Sequence, residues 1–262
     1  MKLTRSLIYL SLSILPFQLS PLWADTNFQP KQFKSDIDGN LNYRIYIPTD
    51  IADNKVYPLI VFLHGAGERG SNNTSQLTHG VRSILDYSKA SNEPAIIIAA
   101  QVPAGEQWVN TSWNEDSHVM PKAPSRSMTL LVSLIKKLIT NNPIDEDRIY
   151  VTGLSMGGFG TWDIVQRMPN FFAAAIPVCG GGDTREAESI KQVPIWAFHG
   201  DSDIVVKTQR SRDMIDALQA VGGEPKYTEY EGVEHDSWTM TYTDKNVLSW
   251  LFSQKKHPYK VD

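Results

Sequence analysis

The stretch Gly153-Leu154-Ser155-Met156-Gly157 decides the fold, because of the residues on either side of it. Residues 147–152 are rich in β-branched and aromatic side chains and predict a buried strand. Residues 158–168 predict a helix that ends before Pro169. A serine on a sharp turn from strand to helix, with a glycine two residues away on each side, is the pattern of a nucleophile elbow. Neighbouring backbone crowds such a turn, so the flanking positions need residues without a Cβ.

The rest of the chain alternates predicted strands and helices around this elbow. Residues 41–47 alternate and end at Pro48, which suits an antiparallel outer strand. The other predicted strands are continuous apolar runs, as expected where both faces are covered. Predicted strands cover 41–47, 58–63, 95–100, 147–152, 173–178, 193–198 and 225–230, and predicted helices cover 81–87, 124–140, 158–168, 208–218 and 246–252. This order predicts an α/β class, with a doubly wound, mostly parallel sheet, helices on both faces and no separate lid domain.

The N-terminus predicts a secretory signal peptide. Lys2 and Arg5 precede an apolar run at 7–15, and Ala24 ends a segment typical of a cleavage site. An uncleaved anchor is the alternative, although the run is short for a bilayer. We therefore expect a signal peptide at 1–24, one catalytic domain at 25–254 and a polar tail at 255–262, in a secreted or periplasmic protein that does not stay in the membrane.

The charge of the chain bears on its partners, and its single cysteine bears on metal binding. A formal net charge of −4 without basic clusters argues against nucleic acid or anionic lipid as a partner. Cys179 follows an apolar run, so we expect a buried, inert thiol. The sequence contains no HExxH motif, no cysteine pair and no tight His/Asp cluster, and it therefore predicts no metal site. It leaves the oligomeric state open.

A nucleophilic serine needs a base, and the base needs an orienting acid. In an elbow fold the chain order is serine, acid, histidine. His235 follows the last predicted strand and is the predicted base. The other histidines precede Ser155, lie in the tail, or, for His199, suggest a turn residue; they are His64, His79, His118, His199 and His257.

Three aspartates are candidates for the acid. Asp201 and Asp203 both follow the strand at 193–198. We favour Asp203, because apolar residues after it can support its carboxylate from below, whereas Asp201 suits a turn cap. Asp183, after three glycines, is the third choice.

The reaction also needs donors for the oxyanion of a tetrahedral intermediate. One predicted donor is the backbone N–H of Met156, directly after Ser155 at a helix N-terminus. The second should come from His64-Gly65-Ala66-Gly67, with Ala66 preferred and Gly67 its rival. The side chain of His64 is expected to bond to loop backbone.

Four segments carry a family resemblance, which runs from about residue 43 to 252: 63–70, 153–158, 199–203 and 234–238. The chain resembles single-domain secreted α/β-hydrolases of the esterase type, similar to polyhydroxybutyrate depolymerase-like, feruloyl esterase-like and dienelactone hydrolase-like proteins, and also predicted prolyl oligopeptidase-type peptidases. The resemblance implies the same triad and no cofactor. Glu234 departs from the pattern, since such proteins often have glycine there. A carboxylate pointing inward at this position would change the pH optimum.

The substrate is the least defined part of the prediction. Trp108 and Trp113 follow the third predicted strand and could line an acyl or sugar-binding wall, or could pack under the loop. Glu68 and Arg69 could touch substrate, or form a salt bridge that shapes the turn. Trp238 is expected to pack beneath His235.

An open, partly aromatic cleft favours esters of short or aromatic acids, free or linked to polysaccharide. A serine peptidase with the same triad is the alternative, and a non-catalytic binding protein on this fold is a further one.

Overall fold

A computed structural model describes residues 27–49 and 54–256. The predicted signal peptide at 1–24 lies outside the described residues, as do 257–262 of the predicted tail, including His257. None of the helices in the described part of the chain is long and apolar enough to cross a bilayer.

The described residues form one eight-stranded sheet. The strands are β1 (Gln29–Ser35), β2 (Gly39–Tyr46), β3 (Tyr57–Leu63), β4 (Ile96–Gln101), β5 (Ile144–Leu154), β6 (Ala174–Val178), β7 (Trp196–Gly200) and β8 (Lys226–Tyr230). They lie in the order β1-β2-β4-β3-β5-β6-β7-β8. β1 and β2 are antiparallel additions, and β3 to β8 run parallel to one another.

Helices cover both faces of the sheet. The helices are α1 (Val81–Ala90), α2 (Arg126–Asn141), α3 (Met156–Arg167), α4 (Ala187–Ile190), α5 (Gln209–Ala220), α6 (Trp238–Thr243) and α7 (Lys245–Ser253). Apolar residues of α2, α3, α4 and α5 pack in the core on one face, and those of α1, α6 and α7 pack in the core on the other. The predicted doubly wound α/β class is confirmed.

The antiparallel edge differs from the prediction in one strand. β2 is antiparallel as expected, but β1 pairs outside it from Gln29↔Ile45 to Ser35↔Gly39. In β1 only Phe33 is buried, so the apolar alternation that reveals β2 is missing. A hairpin edge with one core residue gives too weak a signal to be predicted from sequence.

The segment at 102–125 connects β4 to α2 and contacts residues far along the chain rather than forming a local loop. Glu115 O first accepts from Arg210 of α5 at 2.9 Å. Further along, the Met120 N–H donates to Asp183 Oδ2 at 2.7 Å, and Pro121 O accepts from Arg167, the last residue of α3, at 2.7 Å. These contacts join the segment to α3, to α5 and to the loop after β6.

Candidate active site

Ser155 sits at the junction of β5 and α3 in a strained conformation. Its φ of 53° and ψ of −118° lie where residues with a Cβ are rare. The turn is packed so closely that a Cβ on Gly157 would lie 2.0 Å from Leu63 O, and one on Gly158 would lie 2.3 Å from Val178 O. The predicted elbow is therefore the observed local structure, and backbone contact explains its glycines.

Ser155, His235 and Asp203 are joined by hydrogen bonds in that order. Ser155 Oγ lies 2.9 Å from His235 Nε2, and His235 Nδ1 lies 2.7 Å from Asp203 Oδ2. The Asp203 side chain is fully buried, whereas 19% of the His235 side chain is exposed. This is the geometry in which a histidine takes a proton from a serine hydroxyl while a carboxylate holds the opposite ring nitrogen.

The structure also separates Asp203 from the two alternative acids. Asp201 accepts from the Gly232 N–H at 2.8 Å and is exposed, so it caps the turn as expected of it. Asp183 pairs with Arg185 at 2.7 Å and binds the 102–125 segment. Only Asp203, among the three candidates, contacts His235.

The carboxylate of Asp203 is built to stay charged although it is buried. Burial alone would raise its pKa, but hydrogen bonds from His199, His235 and the Val206 N–H hold the pKa far below its usual range. Its other oxygen, Oδ1, accepts from the Val205 and Val206 N–H groups at 2.8 and 2.9 Å. A carboxylate with several N–H donors can support a protonated imidazole at neutral pH.

The predicted oxyanion donors lie on two segments that meet at the elbow. Met156 begins α3, so its N–H belongs to the first turn, which has no intrahelical acceptor. Ala66 begins a short 3₁₀ helix, Ala66–Glu68. Gly65 brings this segment to the elbow, since a Cβ on it would lie 2.8 Å from Leu154 Cδ1. The roles of both N–H groups stay predictions.

His64 supports the loop with both ring nitrogens, as expected of a structural residue. Its Nδ1 lies 2.6 Å from Gly65 O, and its Nε2 accepts from the Val102 N–H at 2.9 Å. Burial lowers its pKa to about 4. The positive charge of Arg69 lowers the pKa further, whereas the hydrogen bond to Gly65 raises it. His64 is therefore neutral at neutral pH, and the tautomer with the proton on Nδ1 satisfies both neighbours.

The prediction that Trp108 lines the substrate cleft is wrong. Trp108 is fully buried, its indole N–H donates to His64 O at 3.1 Å, and its Cβ packs against Gly160 of α3. The 102–125 segment turns inward at this residue, so the large ring fills the core beneath the oxyanion loop. Packing is its observed role.

Trp113 is only partly buried and remains a candidate for contact with substrate. The guanidinium of Arg69 lies 5.9 Å from the centre of its ring. Arg69 also donates to Ala66 O at 2.8 Å, so it shapes the oxyanion loop. The expected salt bridge between Glu68 and Arg69 is not the observed pairing, because Glu68 faces His79 at 3.6 Å.

His199 is the residue that the sequence prediction misjudged most. It is not a turn residue but a fully buried member of β7, with Nε2 at 3.1 Å from Asp203 Oδ2. The sequence contained a signal for this, because a histidine at the end of an apolar strand is expected to be buried and a buried polar side chain needs a hydrogen-bond partner. Trp238 lies against His235 as expected, with ring centres 5.2 Å apart and planes at 90°.

Cys179 lies beneath the nucleophile. Its Sγ accepts from the Ser155 N–H at 3.3 Å, and burial raises its pKa, so it is an inert thiol as expected. Cys179, Asp203 and His235 place their ligand atoms within 4.8 Å of one another. However, Asp203 Oδ2 and His235 Nδ1 are 2.7 Å apart, whereas tetrahedral ligands with bonds near 2.1 Å lie roughly 3.4 Å apart. The cluster as built fits a hydrogen bond rather than a metal ion.

Comparison with known proteins gives a consistent result. The model of the phospholipase/carboxylesterase family matches residues 49–245. A bifunctional acetylxylan esterase/xylanase of Neocallimastix patriciarum is 25% identical over 222 residues, which are 82% of this chain and 30% of that protein. Poly(3-hydroxyalkanoate) depolymerase C of Paucimonas lemoignei is 26% identical over 183 residues, or 68% of this chain and 40% of that one.

Among solved structures, a thermostable esterase is 38% identical, with a TM-score of 0.82. The match covers 88% of this chain and 64% of the esterase. This chain therefore spans less than half of each of the two curated relatives and less than two thirds of the solved esterase.

Proposed function

The chain belongs to the phospholipase/carboxylesterase family of α/β-hydrolases, and on that premise we propose that it is a serine hydrolase that cleaves carboxylic esters. The observation that carries the proposal is the continuous chain of hydrogen bonds from Ser155 Oγ through His235 to Asp203. This arrangement supplies an activated hydroxyl, a base and a buried charge in the order that acyl transfer requires.

In the proposed reaction, Ser155 Oγ attacks the carbonyl carbon of the ester while His235 Nε2 takes the hydroxyl proton. The backbone N–H groups of Met156 and Ala66 donate to the oxyanion that forms. When this intermediate collapses, the proton on His235 passes to the leaving alcohol and the acyl group stays on Ser155. A water molecule then attacks the acyl-enzyme with His235 as base, which releases the acid and restores the serine.

The proposed substrates are esters of short or aromatic acids, either small molecules or groups linked to a polysaccharide. The names of the two curated relatives, an acetylxylan esterase/xylanase and a polyhydroxyalkanoate depolymerase, support ester substrates. Trp113 and Arg69, which contact each other beside the oxyanion loop, offer an aromatic and a cationic surface to the substrate. We propose export as well, with cleavage after Ala24. The mass of the mature protein should correspond to a chain that begins at Asp25, and a mass that corresponds to another first residue would contradict this proposal.

The test compares the wild-type protein with Ser155→Ala. A fluorophosphonate probe should label the wild type and not the variant, because the probe reacts with an activated serine. Acetyl, butyryl and octanoyl nitrophenyl esters should then show fastest turnover with the short chains, and peptide substrates should be cleaved far more slowly. Preference for peptides would favour the peptidase alternative. A folded wild-type protein that takes up no probe would favour the binding-protein alternative.

A further inference from the structure

The carboxylate of Asp203 contacts a second histidine besides His235. His199 lies at the carboxyl end of β7, its side chain is fully buried, and its Nε2 is 3.1 Å from Asp203 Oδ2. The same oxygen accepts from His235 Nδ1 at 2.7 Å. One carboxylate oxygen therefore serves two imidazoles, of which only His235 faces Ser155.

The neighbours of His199 fix which of its nitrogens carries the proton. Nε2 faces Asp203 Oδ2 and also Val206 O at 3.1 Å, and both of these atoms can only accept. Nε2 must therefore be the donor. Nδ1 lies 2.8 Å from Ser211 Oγ, a hydroxyl that can donate to it. The ring is thus held at both ends in one tautomer.

We propose that His199 is a positioning residue for the hydrolytic reaction: it fixes the carboxylate of Asp203 and shares its negative charge, and so sets how strongly Asp203 holds protonated His235. This inference rests on the proposed triad. His199 does not touch the substrate, and its effect passes through Asp203 alone.

The negative charge of Asp203 is shared among the donors on its two oxygens. Oδ1 accepts from the Val205 and Val206 N–H groups, and Oδ2 accepts from the two imidazoles. Each donor stabilises the negative charge and leaves less of it available to any other donor. Without His199, Oδ2 would interact with His235 alone, more strongly but with less positional restraint.

The surroundings of His199 also reach the nucleophile elbow. The hydroxyl of Ser211 has one proton, which goes to His199 Nδ1, and Ser211 Oγ lies in contact with Gly180 O at 3.2 Å. Gly180 in turn packs on the first turn of α3, where a Cβ on it would lie 2.4 Å from Gly158 C. The support of the acid and the support of the nucleophile therefore meet at Gly180, which gives His199 a reason to be buried at this point.

Three other titratable groups near Asp203 and His199 lie on different segments of the chain. Cys179, at the end of β6, is buried beneath Ser155. Glu229 of β8 is the register neighbour of His199 and is held by Arg212 at 2.5 Å. Asp236 follows His235 and caps Thr239 at the surface. None of these groups has a hydrogen bond to Asp203 among those that the described residues form, so the two histidines are the side chains that should govern its charge.

The test replaces His199 in two ways and measures the pH dependence of kcat/KM with a short nitrophenyl ester. His199→Leu removes the donor, whereas His199→Gln can place an amide N–H near the position of Nε2. Thr208→Val is the matched control, because it removes a buried hydrogen bond to Gly200 O in the same loop and leaves every donor to the Asp203 carboxylate in place. Rates are normalised to the active sites counted with a fluorophosphonate probe.

For His199→Leu we expect kcat per active site to fall on the order of tenfold or more, because a displaced acid misaligns the base. The acid limb of kcat/KM, which reports protonation of the base in the free enzyme, should move to higher pH, since Asp203 then stabilises the imidazolium more strongly. His199→Gln should recover most of the rate and return the acid limb toward that of the wild type. Thr208→Val should lower the Tm and leave the acid limb in place.

If the acid limb of His199→Leu, with rates normalised to active sites, matched that of the wild type and only the Tm fell, the proposal would be overturned. His199 would then be a packing residue. Where His199→Leu does not fold, Ser211→Ala keeps the ring but removes the hydroxyl that holds Nδ1; it should give a smaller shift in the same direction, and no shift would equally overturn the proposal. Failure of the triad itself is separate, since it would appear as activity or labelling that survives in Ser155→Ala.

Discussion

Asp203 and the oxyanion loop at residues 63–70 flank Ser155 from opposite sides of β5, and they are held by different kinds of contact. On the acid side, the carboxylate of Asp203 is fixed by four N–H donors, two of them from imidazoles. On the oxyanion side, backbone packs on backbone, so that a Cβ on Gly157 would meet Leu63 O at 2.0 Å. The acid side is therefore held in place by hydrogen bonds to a charged group, and the oxyanion side by close packing of backbone atoms.

The kind of contact determines which substitutions each side can accept. Hydrogen bonds to a buried charge tolerate a change of donor as long as a donor remains, but they do not tolerate loss of the charge. Close backbone contact tolerates no added atom, whatever its chemistry. The acid side carries the charge that the reaction uses directly, so a change there should have the larger effect on the rate.

The largest effect is expected when the charge on the acid side is removed. Asp203→Asn keeps the volume but replaces the acceptor that fixes the tautomer of His235, so kcat should fall roughly 10⁴-fold. Asp201→Asn, two residues earlier and exposed, should keep kcat within a few-fold because it only caps a turn. Steady-state kinetics on both variants measures the difference. Equal losses in the two would contradict the assignment of the acid.

A smaller but still large effect is expected when volume is added on the oxyanion side. Gly157→Ala forces its Cβ against Leu63 O and moves the loop that carries Ala66, so kcat should fall about 10²- to 10³-fold, the scale of losing one oxyanion donor. Gly67→Ala is the matched variant, because a Cβ there meets no atom within 4 Å and the backbone N–H is retained.

Steady-state kinetics of the two alanine variants tests this contrast, and equal losses of activity would contradict it. A uniform loss would mean that the oxyanion side responds to any change in the loop rather than to volume at one point. Retention of activity in Gly157→Ala would mean that the loop can move away without cost, which close packing against Leu63 does not allow.

The parts predicted correctly from sequence are those whose signal is local. The elbow is a single continuous stretch, and Asp203 and His235 lie in the loops after β7 and β8, so chain order and the parallel sheet are enough to predict that they meet at one edge. The predictions that failed concern residues whose partners lie far along the chain. The burial of Trp108 follows from its contacts with His64 and α3, and the contacts of His199 follow from a side chain on α5 and a carboxylate beyond the strand.

The smallest expected effect is on stability in acid, where the oxyanion side and the acid side should respond differently to a fall in pH. His64, on the oxyanion side, has a pKa lowered to about 4 by burial, whereas the pKa of Asp203 lies so low that its charge persists. Between about pH 6.5 and 4 the unfolded chain binds a proton on His64 that the folded chain does not bind. The free energy of unfolding should therefore fall as the pH falls through this window, on the order of 1 kcal/mol for each pH unit from this group.

Urea unfolding from pH 8 to pH 4 measures this slope in the wild type, in His64→Gln and in His118→Asn. His118 also has a pKa of about 4, lowered by burial and by Arg210, so both variants should flatten the curve. Thr208→Val, which removes a buried hydrogen bond and no titratable group, is the control and should lower the curve without changing its slope. Protonated His64 can no longer accept the Val102 N–H, so in acid the oxyanion loop should loosen before Asp203 does. A slope that His64→Gln leaves intact would show that the two sides do not differ in this way.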